Sequence, residues 1–488
     1  MDSRRSADPC IVPDFASHGL WGLQVPRKYG GLELSYRDTF RIMEQLGAID
    51  CNLFVMVAVH NMVGIPPIAH HATEDVRSQI LPLLARGQSL TTSAASEPGM
   101  GSDLRGMTTR AVRQSDGTYL LNGMKRWISL GGSSRFLNIF ARLYAEDGTP
   151  QGFTGFTIDS HTPGFTVGPE VRTLGLRAVP QVTLTFEDMR VPAVWRLGAE
   201  GDGLIAANSA FMLSRLVIGA GSIGAMKRSL EVASRYARQR PVATGLLIDN
   251  GRTQQILTEA AAATLTVELL MDHITTMLDQ GQQPHELLYF VTKIMSSEEL
   301  FTVVDRAVQM LGGRGFLDTN IVGQFYRDYR LMRIFEGATE VVTLYTGLKV
   351  TRSPNTFQDL LAAIPGVSRE VVSLISEAEE YVARRGATEQ AEHIRYNVLG
   401  DLLCWSVLAA LTSAAEGRSE MHGVAAEWCA HRLRRRLMEA RRDVRLDLPS
   451  KEALLQHIAG YEADIGDTDQ RRAGEEHGLD PLLHRPVR

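Results

Sequence analysis

The feature that most restricts how this chain can fold is a change of periodicity. Between Ser96 and Leu197, short runs such as TYLLNG, FLNIFARLY, GFTGFTI and QVTLTFEDMRVP alternate apolar and polar residues, separated by DG, GG and PG pairs. Alternation over so few residues suits half-buried strands, and those pairs mark chain reversals. The flanks read differently. Ser35–Leu46 and Glu74–Leu84 place apolar residues at three- and four-residue steps, and a helical period returns at Ala206 and persists to Val350. The expected fold is α+β: a helical domain over residues 1–95, a compact β domain over 96–200, then helices over 201–350. Leu213, Leu216, Val217, Ala220 and Ile223 form one apolar stripe, and Gly219, Gly221 and Gly224 beside it would let another helix approach closely.

Thr351–Asn355 (TRSPN) reads as a linker to a helical C-terminal extension, residues 351–488. There Ser368–Arg384 and Glu420–Val444 are helical in pattern, and the last twenty or so residues read as a loose tail. Ala426, Cys429, Leu433, Leu437, Ala440 and Val444 share one apolar face, and Arg432, Arg435, Arg436 and Arg442 share another. The arginine face suits a solvated surface, an anionic membrane in peripheral contact, or an acidic carrier protein.

A net charge of −5 over 488 residues gives no general attraction for nucleic acid. Cys10, Cys51, Cys404 and Cys429 are far apart, which argues against a zinc site or a disulfide framework and for a reducing compartment. The opening MDSRRSADPCIVPDF has no long apolar run, so a cytoplasmic protein is expected.

Four segments carry chemistry. In RDYRLMRIFEGATE (Arg327–Glu340), Glu336 stands between Phe335 and Gly337, which suits a general base in a dry pocket. SEPGMGSDLRG (Ser96–Gly106) has glycines that free backbone amides for a ligand, and Ser102 adds a hydroxyl. NGMKRWISLGG (Asn122–Gly132) offers Trp127 as a flat apolar face and Ser129 two residues on, on the same side of a regular strand. QMLGGRGF (Gln309–Phe316) could bring backbone close to a phosphate, but no strand precedes it, so it is not a dinucleotide fingerprint. Taken singly, each also suits an ordinary turn or core position.

Together, SEPGMGSD, NGMKRWIS, LGLRAVPQVTLTFEDMRVP, QMLGGRGF and RDYRLMRIFEGATE, in this order, resemble the acyl-CoA dehydrogenase family, and PRKYGGLELSY and the helix around Arg215 fit as well. The resemblance covers roughly residues 15–350. It implies an N-terminal helical domain, a β-barrel-like middle domain and a four-helix bundle, with FAD between the last two. It implies that Ala95, Ser96, Trp127, Ile128 and Ser129 contact the flavin ring, and that Arg240, Gln309, Gly312, Gly313 and Glu340 help hold FAD, Arg240 and the glycine segment acting from a neighbouring subunit. Ser102, Arg215 and Gly337 would meet the acyl thioester, on CoA or on an acyl-carrier protein. Glu336 would take the α-proton while flavin N5 takes the β-hydride. An electron-transfer flavoprotein as acceptor and a homodimer or homotetramer are likewise implied, and no metal is.

The chain departs from the family pattern at several points. Arg240-Pro241-Val242-Ala243-Thr244 lacks the usual aromatic, Ala338 stands where a threonine is usual, and Met212 replaces a common acid near Arg215. Ser214 occupies the position of the alternative base and cannot serve. The first helices of the family's N-terminal domain are also missing from the pattern. A flavin oxidase or monooxygenase on the same scaffold, and a non-catalytic subunit binding acyl thioesters or a carrier, remain alternative readings.

Overall fold

The computed structural model describes residues 1–353, 355–384, 388–443 and 448–466. Helices α1 (Ile11–Ser17), α2 (Tyr36–Ile49), α3 (Cys51–Ala58), α4 (Ile65–His71) and α5 (Glu74–Ala85) come first. The Ser35 hydroxyl accepts from the Asp38 amide at 3.0 Å and Thr73 from the Val76 amide at 3.4 Å, so α2 and α5 start at side chains that satisfy first-turn donors. Between α3 and α4 a wide helical turn carries His60, fully buried. Its Nε2 donates to the Trp21 carbonyl at 2.9 Å and its Nδ1 accepts from the Thr91 amide at 3.2 Å.

The sheet holds β1 (Leu90–Ala94), β2 (Arg110–Arg113), β3 (Thr118–Ser129), β4 (Ser134–Tyr144), β5 (Pro150–Asp159), β6 (Phe165–Val167), β7 (Gln181–Pro192) and β8 (Arg196–Leu197). Its order is β6-β7-β3-β2-β4-β5-β8, with β1 running parallel to β4. Sheet structure therefore begins at Leu90, inside the stretch expected to be wholly helical. The turn signals that betray the later hairpins have no counterpart before a strand that joins the sheet in parallel.

Helices α6 (Gly203–Ala237), α7 (Gly251–Asp279), α8 (Glu286–Leu311) and α10 (Thr339–Arg352) form the bundle. A small hairpin, β9 (Pro241–Val242) with β10 (Gly245–Leu246), follows α6, and α9 (Ile321–Asp328) follows α8. The α6 glycines act as expected. A side chain at Gly221 would strike the Phe54 ring and one at Gly224 the Glu44 carbonyl, so the N-terminal helices lie directly on α6. Asp328, fully buried, joins the layers: its carboxylate accepts from the Leu176 amide at 2.7 Å and from Gln324 Nε2 at 3.1 Å. Burial pushes its pKa up to about 6.

The extension adds α11 (Thr356–Ala362), α12 (Arg369–Glu379), α13 (Glu389–Ala415), α14 (Glu420–Asp443) and α15 (Lys451–Ile465). Helix α13 lies on α10 so closely that a side chain at Gly347 would strike the Tyr396 carbonyl and one at Gly400 the Thr343 carbonyl. One apolar core runs continuously from Trp21 to Ala440. One expectation is corrected here. Thr351 and Arg352 belong to α10 and are not linker. The arginines of α14 are largely spent on carboxylates. Arg432, between the Trp405 and Trp428 rings, reaches Glu299 at 3.4 Å. Arg434 pairs with Glu370, Arg435 with Glu439, Arg436 with Asp401 and Asp443, and Arg441 with Glu377. Arg434, Arg435 and Arg441 keep exposed side chains, so this face of the helix stays solvated with acidic partners beside it. Pro354, Val444, Arg445 and the expected tail lie outside the described residues.

Candidate active site

Glu336 sits in the loop before α10, with φ of 57°, and Gly337 follows with φ of 97°. A left-handed conformation costs a non-glycine residue about 1–2 kcal/mol, which the surrounding packing must hold. At Gly337 only glycine fits, because an added Cβ would lie 2.6 Å from Val342 Cγ2. The Glu336 residue is half-buried, but its Oε2 is closed off from solvent and has no hydrogen-bond partner. Burial raises its pKa, while Ser214, Arg215 and Lys293 pull it back. The Arg215 Nε donates to the Glu336 carbonyl at 3.4 Å, and the guanidinium lies 4.7 Å from the centre of the Phe290 ring. Its Nη1 is 3.5 Å from the Met212 sulfur, where an acid would have made an ion pair.

Lys293 of α8 also belongs to this group and escaped the reading of the sequence, because it stands inside an apolar helical run with no motif around it. It is fully buried, and burial brings its pKa down to about 8. Its neighbour Phe290 was missed for the same reason.

A second group lies on the β domain. Glu97 and Lys125 form a buried ion pair at 2.9 Å. Glu97 also accepts from the Thr108 amide at 2.6 Å and the Thr109 amide at 3.0 Å, and Lys125 donates to the Ala95 carbonyl at 3.1 Å. Burial opposes the Glu97 charge, but Lys125 and these donors outweigh it and hold its pKa down to about 2. The Ser96 carbonyl accepts from the Arg126 amide at 2.9 Å, so the pair fixes Ala95–Ser96 beside β3. The regular strand expected at Trp127 is broken. The β3–β7 register slips between Lys125 and Ile128, and Trp127 takes φ of 59°, a bulge that leaves its ring 47% exposed. Ile128 is buried, and the Ser129 hydroxyl and the Gln181 side-chain amide lie 2.8 Å apart. Ser102 is exposed in its turn.

Arg240, Gln309, Gly312 and Gly313 are exposed and form a third group. Arg240 donates its amide to the Tyr236 carbonyl, and Arg314 lies 5.7 Å from the Tyr236 ring. Arg215 and Tyr236 are 21 residues apart on α6, about 32 Å at 1.5 Å per residue. The chain thus brings Arg215, Glu336 and Gly337 together, and places Arg240 and the glycine segment at the far end of the bundle. Glu340 is exposed in the first turn of α10.

The N-terminal, middle and C-terminal domain models of acyl-CoA dehydrogenases match residues 1–88, 92–189 and 201–347. The chain is 31% identical over 334 residues to cyclohex-1-ene-1-carbonyl-CoA dehydrogenase of Geobacter metallireducens, covering 68% of this chain and 87% of that protein. It therefore belongs to the acyl-CoA dehydrogenase family. With the mitochondrial very long-chain specific acyl-CoA dehydrogenase of Rattus norvegicus it shares 30% identity over 390 residues, 79% of this chain but 60% of that protein. It spans only about half to three-fifths of such very-long-chain relatives. The structure of an acyl-CoA dehydrogenase from Bacillus anthracis, complexed with FAD, shares the fold with a TM-score of 0.79 at 24% identity, over 93% of this chain and 85% of that one. That coverage takes in most of the C-terminal extension.

Proposed function

We propose that this protein dehydrogenates an acyl thioester across its α and β carbons, with FAD as resident cofactor and Glu336 as the base. The observation that carries the reading is the Glu336 carboxylate, whose Oε2 is shut from solvent and left without a partner beside Arg215. Such an oxygen has unspent capacity to accept a proton, and its raised pKa increases its affinity for one. Arg215 holds the carbonyl of the same residue and so steadies the loop against α6.

The residues present fit FAD. Trp127 exposes an aromatic face, Ser129 offers a hydroxyl, and α10 begins at Ala338 without a side-chain cap, leaving first-turn amides free for anionic or hydroxyl groups. Ala95, Ser96, Trp127, Ile128 and Ser129 would hold the ring system, with Glu340 near the α10 terminus. When bound, FAD supplies the acceptor for the β-hydride. Arg240, Gln309, Gly312 and Gly313 lie toward the Tyr236 end of α6, and Tyr236 is about 32 Å along that helix from Arg215, so we assign them to the FAD site of a second copy of the chain. In that arrangement the protein is a dimer or a dimer of dimers. An acyl-CoA is the favoured substrate, with Ser102, Arg215 and Gly337 on its path. An acyl-carrier-protein thioester and an electron-transfer flavoprotein acceptor are finer points of the same reading.

The test is Glu336→Gln, which keeps shape and removes the proton acceptor. Flavin bleaching by acyl-CoA in a single turnover, normalised to bound FAD, should fall by about two to four orders of magnitude, with FAD content unchanged. Bleaching at the wild-type rate would remove Glu336 from the role. Light scattering of a fully flavinated monomer would refute the assignment of Arg240 and the glycine segment to a second copy.

A further inference from the structure

We propose that Lys293 is a positioning residue, whose ammonium ties the two ends of the Glu336 loop to α8 and so sets the placement of the base. The inference rests on the reading of Glu336 given above.

The geometry is a closed triangle. The Lys293 Nζ lies 3.3 Å from the Arg333 carbonyl and 3.5 Å from the Thr339 hydroxyl. The Thr339 hydroxyl in turn donates to the Arg333 carbonyl at 3.4 Å. These two residues bracket the loop that carries Glu336 and Gly337, both in left-handed conformations. The ends of that loop are otherwise secured by ordinary turns, Phe335 N to Leu331 O and Val342 N to Ala338 O. Among the described residues no backbone hydrogen bond fixes the Glu336 or Gly337 amide, so apart from the Arg215 contact to the Glu336 carbonyl the middle of the loop depends on how its ends are held. Helix α8 holds one end twice, since Glu298 also binds the Arg333 side chain at 2.7 Å.

The chemistry of position 293 points the same way. A methionine would fill a fully buried site without the desolvation cost of an amine. Among the described residues no carboxylate stands within 4.0 Å of Lys293 to compensate that cost. Its hydrogen-bonding partners are the two loop oxygens. The charged groups around it are Arg215 on α6, Glu298 on its own helix, Glu336 in the loop and Glu340 on α10, with Arg333 at the loop's start. With Arg215, Lys293 favours the charged form of Glu336 against burial. The ammonium thus acts on the base through both the loop it pins and the field it exerts.

Three variants of the full-length holoprotein test this, with Glu336→Gln assayed beside them. In Lys293→Met, flavin bleaching at saturating acyl-CoA should slow about tenfold to a hundredfold, the order of loss expected when a reacting group is misplaced by up to an ångström. FAD content should hold. The acid limb of the rate should move to higher pH, because Glu336 then keeps its proton longer. Amide exchange of the 333–340 peptide should quicken, in FAD-free protein as well. Lys293→Arg should recover part of the rate. Lys293→Gln, which can still donate, should recover exchange protection but leave the acid limb displaced. If Lys293→Met fails to fold, the Arg and Gln variants carry the same comparison. A normal rate, an unmoved acid limb and unchanged exchange in Lys293→Met, alongside a collapsed Glu336→Gln, would overturn the proposal and leave the base assignment standing. Wild-type bleaching in Glu336→Gln would instead remove the base, and exchange of the 333–340 peptide would then decide alone whether Lys293 holds the loop.

Discussion

Replacing Lys125 with methionine should be costly for a reason visible in the structure. The substitution nearly conserves volume but strands the Glu97 carboxylate, itself 1% exposed, and removes the donor from the Ala95 carbonyl. Breaking a buried pair from one side typically costs about 3–5 kcal/mol. Glu97 would keep its amide donors from Thr108 and Thr109, so the lower end, about 3 kcal/mol, is expected here. That corresponds to roughly a hundredfold more unfolded protein, at about 1.4 kcal/mol per factor of ten. Urea unfolding at pH 7 would measure it. The deficit should shrink as pH falls and Glu97 takes up a proton. Adding Glu97→Gln should restore part of the loss by removing the stranded charge. A single variant within about 1 kcal/mol of wild type, or a double variant no better than the single, would refute the reasoning. Ala95 and Ser96 lie beside the pair, so FAD retention should fall with stability.

Two further outcomes are expected. The His60 pKa, lowered to about 4 by burial, lies below its unfolded value, so the stability this neutral ring contributes is full above about pH 6.5 and is lost as pH falls toward 4. Its share of the slope should be about 1.4 kcal/mol per pH unit over that window, read as the difference in urea unfolding between wild type and His60→Gln because His70, His71 and His273 are lowered too, and a difference flat with pH would count against it. Arg432→Met should leave Glu299 buried without its partner, and burial already raises the Glu299 pKa despite Arg432. A carboxyl raised in the fold favours folding at low pH, so this variant's deficit should grow as pH rises past the ordinary carboxylate range; a deficit independent of pH would show that the pair is electrostatically idle.

Local periodicity disclosed most of the architecture. The glycines at 219, 221 and 224 announced a close helix crossing, and Glu336 between an aromatic residue and a glycine announced a dry carboxylate. What stayed hidden depends on partners distant in sequence. Leu90–Ala94 pairs in parallel with a strand more than forty residues later, and no turn between them advertises it. The arginines of α14 look like a charged surface until Glu299, Glu370, Glu377 and Asp401 are found opposite them. Trp127 was legible as an aromatic platform, but the bulge that exposes it follows from the register with β7. Lys293 could not be singled out, because one lysine in an apolar helix signals nothing until the loop it touches is known.

The shared core between bundle and extension also bears on how the protein is made. Helix α10 follows the Glu336 loop directly, and its outer face is covered by α13, which α14 covers in turn. The last residue of that common core, Ala440, is synthesised about 100 residues after Glu336. At about 5–20 residues per second, the loop waits on the order of 5–20 s before its supporting layer exists. For roughly the first half of that interval, until Tyr396 is made, Gly347 has no α13 against it and the apolar side of α10 is uncovered. A chain cut short after α10 would be left permanently in the state the full-length protein passes through during its synthesis.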